Sequence, residues 1–170
     1  MQNKYYYLVA SLPYLKFGEK PGITSGEFLE ECSKWLSPAD LALIKKIDIS
    51  KPLTDGGDTE LLSRLKSFDM RARRVLADIR RDIHPTERGL HERAKEVLGD
   101  KNPLDKERAI EKVRWDFSEG EEFKYTFDVN SLILYYIKIQ ILERLAGFEK
   151  EKGQKVFEEL CGVQNEKADW

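Results

Sequence analysis

The segment from Phe127 to Phe148, FDVNSLILYYIKIQILERLAGF, constrains the fold more than any other part of the chain. Asp128 is a helix-capping residue type, and a long run without helix breakers follows it. With about 100° between successive helical residues, its apolar side chains fall on two faces separated by one narrow polar arc. The first face is Leu132, Tyr136, Ile139, Leu142 and Ala146, the second is Leu134, Ile137, Ile141, Leu145 and Phe148, and the polar arc is Gln140, Glu143 and Arg144. A helix with two apolar faces needs neighbours on both sides, so we predict the central helix of an all-α bundle.

Charges within this helix argue against a direct membrane span. Lys138 and Gln140 interrupt the apolar run from Leu132 to Leu142, and Glu143 and Arg144 end it. The run is also shorter than the roughly 20 apolar residues that cross a bilayer. Its two apolar faces fit a core helix or a face reserved for a partner protein, and we expect the core. Lys138 lies nearly opposite the polar arc, and we expect its ammonium group to reach solvent.

Start and stop signals divide the chain into an irregular bundle of about seven helices. Thr24 and Glu27 form a capping box, while Ser37 followed by Pro38 starts the next helix. Residues 5–12 fit either a strand or a short helix, and we expect a short helix that ends before Pro13. Further helices are predicted at 24–36, 37–47, 59–83, 86–98, 104–117 and 128–148, with a polar helix from 149. On their buried faces we place Phe28, Cys32, Trp35 and Leu36 of the second helix, Leu41, Ile44 and Ile47 of the third, and Leu61, Leu65, Phe68, Val75 and Ile79 of the long fourth. The segment 118–123, SEGEEF, is predicted to be an acidic turn.

The length of 170 residues fits one helical domain spanning 1–170. Pro52 and the pair Gly56-Gly57 mark 48–58 as a flexible connector, which leaves open a small amino-terminal lobe at 1–47. The glycine pair lacks the GxxxxGK[ST] pattern of a phosphate-binding loop, so we interpret it as a turn.

Composition excludes several function classes. The 29 basic and 31 acidic residues give a net charge of −2, which predicts neither a nucleic acid nor an anionic membrane as partner. Cys32 and Cys161 lie far apart without a pairing pattern, and the amino terminus does not resemble a secretory signal. We therefore expect reduced thiols and a cytoplasmic protein.

No recognisable catalytic, cofactor or metal motif occurs. Pro85 separates His84 from His91, and the second histidine of HExxH is missing, so we assign no metal ligand. Acidic residues alternate with basic ones at helical spacing, as in Asp69 with Arg73 and in Glu107, Glu111 and Lys112. We expect these to be solvated helix faces. No catalytic residue and no cofactor are predicted.

A row of basic residues on the long helix is the best candidate for a functional surface. We call it the arginine stripe, and it consists of Lys66, Arg73, Arg74, Arg80 and Arg81. Guanidinium groups bind carboxylates and phosphates in a bidentate manner. The stripe fits a solvated helix face, a docking surface for an acidic partner protein or an RNA-binding face, and no RNA-binding signature supports the last. Together with His84 and His91, the arginine-rich region 71–93 also leaves open a nucleotide- or phosphate-related enzyme.

Three segments of the chain resemble an uncharacterised bacterial family whose members are typically encoded beside V/A-type ATPase subunits. They are KYYYLVASLPYL at the start, Arg114-Trp115, and FDVNSLILYYIKIQILERLAGFEKEKGQKVFEEL from Phe127. The late helix of that family is also distantly similar to the end of the all-helical component that seats the central stalk of these ATPases on the membrane rotor. This chain is much shorter than that central-stalk component, whose threefold internal repeat is not evident in it.

The resemblance implies a non-catalytic helical adaptor or accessory subunit that couples or assembles the central stalk. Its implied partners are the stalk or rotor subunits of the ATPase. Its implied location is peripheral to the inner face of the membrane. The arginine stripe supplies the candidate contact residues.

Overall fold

The computed structural model describes residues 5–52, 59–81, 94, 99 and 102–148, without the side chains of 79–81. Its described residues form six helices and no strand, so the predicted all-α fold is confirmed. The helices are α1 (Tyr6–Ser11), α2 (Ser25–Trp35), α3 (Pro38–Lys45), α4 (Glu60–Arg81), α5 (Pro103–Glu122) and α6 (Val129–Gly147). The predicted helices at 86–98 and from 149, together with both histidines, lie outside the described residues.

The predicted helix starts are confirmed at three caps. Thr24 Oγ1 accepts from Glu27 N at 3.3 Å, and Thr24 N donates to Glu27 Oε2 at 2.8 Å, which completes the capping box. The side chains of Ser37 and Asp128 accept hydrogen bonds from the backbone N–H three residues on, at 3.2 and 2.9 Å. These bonds satisfy amide groups that have no partner within the helix, which is why short sequence signals predict them well.

Helix α6 lies at the centre of the bundle and contacts α2, α3 and α5. Both of its apolar faces are buried, including Leu134, Ile139 and Ile141, which are fully enclosed. Phe28 of α2 stacks on Tyr136, with ring centroids 5.5 Å apart. Neighbours from the same chain therefore cover both faces, as the core interpretation predicts.

The amino-terminal helices α1 to α3 contribute to the same core as α6. Tyr135 of α6 donates to the Pro13 carbonyl at 2.6 Å, which ties the loop after α1 to the centre. The prediction for Trp35 is wrong, because its ring is 58 % exposed. Since α2 ends at Trp35 and Leu36 takes an extended conformation, Leu36 turns into the core instead.

Helices α4 and α5 meet through stacked rings. Leu61 and Leu65 of α4 lie in the core, and Phe68 stacks on Phe117 of α5 at 4.2 Å. None of the described helices is long and apolar enough to cross a membrane.

The acidic turn predicted at 118–123 is wrong, since α5 continues to Glu122. Glu121 is buried and lies 3.4 Å from Arg64 Nη1 and 2.7 Å from Lys124 Nζ. Glu122 pairs with Lys138 of α6 at 2.7 Å. Arg64 of α4 and Lys124 after α5 neutralise Glu121, and Lys138 of α6 neutralises Glu122. The local sequence pattern could not reveal these pairs.

Lys138 itself is buried instead of reaching solvent, so that prediction is also wrong. Its ammonium group lies 4.8 Å from the centroid of the Trp115 ring while it pairs with Glu122. An anionic partner and an aromatic face together replace the water that we expected around this charge.

Candidate functional site

Three helices bring six charged side chains together beside the core. We call this group the charge cluster. It consists of Asp69 and Arg73 of α4, Glu107, Glu111 and Arg114 of α5, and Arg144 of α6. Three positive and three negative formal charges balance within it.

Asp69 links α4 to α5 through two guanidinium groups. Its Oδ2 accepts from Arg73 Nε at 2.6 Å, one helical turn further along α4. Its Oδ1 lies 3.5 Å from Arg114 Nη2 of α5. Arg114 also donates from Nη1 to Glu111 Oε1 at 2.8 Å. Arg114 is therefore the residue that joins the two buried carboxylates.

Glu111 is the most enclosed member of the cluster, with 0 % of its surface exposed. Arg144 Nε lies 3.2 Å from Glu111 Oε1 but is not aligned for a hydrogen bond. Among the described residues, neither Glu111 Oε2 nor Arg144 Nε has a hydrogen-bond partner, although both atoms are buried. Burial raises the pKa of Glu111, Arg114 and Arg144 lower it, and Glu107 raises it, with a net upward shift. Buried polar atoms without partners are uncommon in folded proteins, so these two atoms single out this part of the charge cluster.

A cavity of about 260 Å³ opens beside the charge cluster. Its lining consists of Ile49, Ser50, Arg73, Leu76, Ala77, Glu107, Ile110, Glu111, Arg114 and Arg144. The side chains of Arg73, Glu107 and Arg144 are 32 %, 31 % and 36 % exposed, so they lie at the mouth. The side chains of Glu111 and Arg114 are 0 % and 13 % exposed, so they form the floor.

The first residues of the predicted connector form one wall of this cavity. Arg73 Nη2 donates to the carbonyl oxygens of Ile49 at 3.3 Å and Lys51 at 2.9 Å. Gln140 of α6 accepts from Ile49 N at 3.0 Å and donates to the Ile47 carbonyl at 2.9 Å. Side chains from α4 and α6 thus hold residues 47–51 in place. The division into a lobe and a flexible connector stays a prediction.

The arginine stripe does not form one surface in the described part of the chain. Arg73 turns inward to the cavity, Arg74 is exposed, and Lys66 is half-buried. The side chains of Arg80 and Arg81 lie outside the described residues. Within these limits, the stripe contributes one residue to the cavity, and the other arginines there come from α5 and α6. Docking of a partner at the stripe stays a prediction.

The expectation of solvated carboxylates is wrong for Asp69 and Glu111, which are both buried. The alternation of charges along one helix suggested pairs within that helix. The structure adds Arg114 to Asp69 and Arg144 to Glu111 from other helices. Helical spacing alone cannot reveal those partners, so it underestimates burial.

One available signal was the polar arc of α6. A helix enclosed on two sides can place charges on such an arc only if other segments bind them. Gln140 holds the connector, Glu143 accepts from Ser25 N and Oγ at 2.7 and 2.5 Å, and Arg144 enters the charge cluster. The polar arc could therefore have indicated buried polar contacts, although it does not identify the partners.

The chemistry of the cavity suits binding of a group that both accepts and donates hydrogen bonds. The guanidinium groups of Arg73 and Arg144 supply donors at the mouth, and the carboxylate of Glu107 supplies acceptors there. In the described ranges, no group of three or more His, Cys, Asp or Glu side chains is arranged to hold a metal ion. The mixed charges also differ from the all-acceptor lining that cations need.

Comparison with known protein families gives a match over the later part of the chain. Residues 91–167 match the family described as "Protein of unknown function (DUF2764)". No curated protein and no solved structure matches the chain. The matched range includes all of α5 and all of α6, which carry four of the six charge-cluster residues. Over these residues the chain is thus similar to a family of unknown function.

Proposed function

We propose that the protein is a non-catalytic helical adaptor or accessory subunit of a bacterial V/A-type ATPase, coupling or assembling its central stalk. The proposal starts from the three segments that resemble a family encoded beside such ATPases. An acidic surface on a stalk or rotor subunit is the partner that the arginine stripe would complement.

The observation that carries the proposal is the outer face of α4. Met70 is 55 % exposed there, and Arg71 and Arg74, which follow it on the same side of the helix, are exposed as well. Leu65 and Val75 bury the opposite side of the helix. An exposed methionine next to two exposed arginines has the composition that is enriched in protein interfaces. We call Met70, Arg71 and Arg74 the α4 docking face.

The residues that carry the resemblance on α5 support the fold instead of a contact surface. Trp115 is buried under Lys138, and Arg114 joins the carboxylates of the charge cluster. Their side chains are unavailable to a large partner. We therefore propose docking at α4, where Arg71 and Arg74 are exposed.

A capture experiment tests the proposal. The purified tagged chain should retain stalk or rotor subunits from detergent-solubilised membranes of a bacterium that contains a V/A-type ATPase. Arg74→Glu should reduce this capture, because it places a negative charge opposite an acidic partner. The matched control is Arg108→Glu, which reverses an exposed arginine on α5 and should capture as the wild type does.

Circular dichroism should show the same helical content and cooperative unfolding for both variants, since both residues are exposed. Two results would contradict the proposal. One is that the wild-type chain retains none of the ATPase subunits. The other is that Arg74→Glu captures them as well as the wild type, which would remove the docking face from α4.

A further inference from the structure

We propose that a second cavity, between α1 and the amino-terminal half of α6, binds a small neutral aromatic molecule of one ring with a short substituent. The turn between α5 and α6 also lines this space, which we call the aromatic cavity. Its walls include Val9, Leu12, Tyr125, Phe127 and Tyr135. It shares no lining residue with the cavity beside the charge cluster, and it does not rest on the proposed ATPase role.

The first argument is the chemistry of the walls. The accessible lining of the aromatic cavity is mostly apolar. The five wall residues named above are half-buried instead of fully enclosed, so they bound the cavity and keep accessible surface. Covering apolar surface favours an apolar occupant. Because three of the five residues are aromatic, a ring gains further attraction from ring–ring contacts.

The second argument is size. The volume of the aromatic cavity is about 190 Å³. A protein cavity of about 150 Å³ with apolar walls binds benzene, so this one holds a six-membered ring with a substituent of one or two heavy atoms. It lies below the roughly 300 to 1,000 Å³ of typical small-molecule pockets, so a nucleotide is too large for it.

The third argument is that three polar side chains of the lining already bind within the chain. Ser131 Oγ donates to the Asp128 carbonyl at 2.7 Å, Glu122 pairs with Lys138 at 2.7 Å, and the Tyr135 hydroxyl donates to the loop after α1. A peptide backbone would need such groups as hydrogen-bond partners, whereas a neutral ring needs none. An anion would meet the Glu122 carboxylate, and no cationic side chain lines the cavity among the described residues. A cation would have to compete with Lys138, so a neutral ligand fits best.

Phe127 supports a functional role for this cavity through its backbone. Its φ of 56° lies in the left-handed region, which is uncommon for a bulky residue. Its carbonyl accepts from Tyr5 N at 3.0 Å, and its ring centroid lies 4.6 Å from that of Tyr6. These contacts hold the residue in its strained conformation at the cavity wall. Strain of this kind clusters at ligand-binding and other functional sites.

NMR titration of the whole methyl-labelled chain tests the proposal, with benzyl alcohol, benzoate and cyclohexylmethanol as the probes. Benzyl alcohol should shift the methyl signals of Val9 and Leu12 in a saturable manner. The signals of Val113, which is exposed on α5 outside the cavity, should not move. Benzoate should bind at least about tenfold more weakly, because an apolar lining does not solvate its charge. Cyclohexylmethanol should bind at least about twofold more weakly, because its thicker ring makes no aromatic contacts.

Val9→Phe is the decisive variant, because the added ring takes the space of the ligand. It should weaken binding of benzyl alcohol by about tenfold or more, since close-packed interiors do not hold two groups in one space. The matched control is Ala10→Phe, which adds the same ring at an exposed position of α1 outside the cavity and should leave the affinity unchanged. Circular dichroism and urea denaturation should show cooperative unfolding for both variants.

Three outcomes would overturn the proposal. One is that benzyl alcohol causes no saturable shift at Val9 and Leu12 of the wild-type chain. Another is that benzoate or cyclohexylmethanol binds as tightly as benzyl alcohol. The last is that a folded Val9→Phe variant binds benzyl alcohol as well as the wild type does. If Val9→Phe does not unfold cooperatively, the sites of the methyl shifts and the order of the three affinities in the wild type still decide.

Discussion

The two sides of α6 differ in what they contain. Towards α2 and α3 the contacts are mainly apolar, with the Phe28 ring stacked on Tyr136 and Ile44 fully buried, although Ser25 of α2 also donates to Glu143. Near its carboxyl end, Arg144 enters a cluster of charges shared by three helices. Apolar burial is non-directional and stabilises the fold roughly in proportion to area. Buried charges stabilise it only when partners are placed correctly, so this side depends on geometry more than on composition.

The largest expected effect comes from removing a buried ring from the apolar side of α6. Phe28→Ala should lower the free energy of unfolding by about 3–5 kcal/mol, because a fully buried ring leaves a cavity against α6. Urea denaturation followed by circular dichroism measures the change. Phe123→Ala is the control, since its ring is 93 % exposed, and it should change stability by about 0.5 kcal/mol or less.

If Phe28→Ala lowered the free energy of unfolding by as little as the control does, α2 would not pack on α6 as described. The apolar side would then contribute less to stability than the charged side.

A smaller effect is expected on the charged side from Arg114→Met. Because Glu111 and Asp69 both lose a partner, the free energy of unfolding should fall by about 3 kcal/mol, near the lower end for a broken buried pair. The double variant Arg114→Met with Glu111→Leu should be more stable than Arg114→Met alone, since it removes the uncompensated carboxylate. Urea denaturation of the two single variants and the double variant gives the coupling. Strictly additive losses would show that the two residues do not interact.

The smallest effect concerns pH. Burial raises the pKa of Glu111 above the ordinary value of 4.5, so above pH 4.5 the folded chain binds more protons there than the unfolded chain. The contribution of Glu111 is therefore fully present below pH 4.5 and is lost as pH rises through the raised pKa. The Glu111→Gln variant has no carboxyl group at this position, so its stability lacks this pH dependence. The free energy of unfolding of the variant minus that of the wild type should increase from about pH 4 to about pH 7.

Parallel urea titrations at several pH values measure this difference, with Glu30→Gln on the exposed side of α2 as the control. A difference that decreases with pH would mean that the arginines outweigh burial. The ionised form of Glu111 would then stabilise the folded chain through its pairs with Arg114 and Arg144.

The comparison also explains which features could be predicted from the sequence. The caps at Thr24 and Asp128 and the two faces of α6 depend on residues within a few positions, so local patterns were sufficient. The predicted end of α5 was wrong because Arg64, Lys124 and Lys138 neutralise the acidic residues of its last turn. The charge cluster was missed for the same reason, since its pairs join three helices.

The bond between Ser25 and Glu143 has a consequence for biosynthesis. Both oxygens of Glu143 hold the start of α2, and the two residues are 118 positions apart. A ribosome makes α2 and α3 long before it makes α6, so the surface that covers their apolar residues does not yet exist while they emerge. Folding of this core must therefore wait until nearly all of the described chain has been synthesised. During that interval the nascent amino-terminal helices are natural clients for a chaperone.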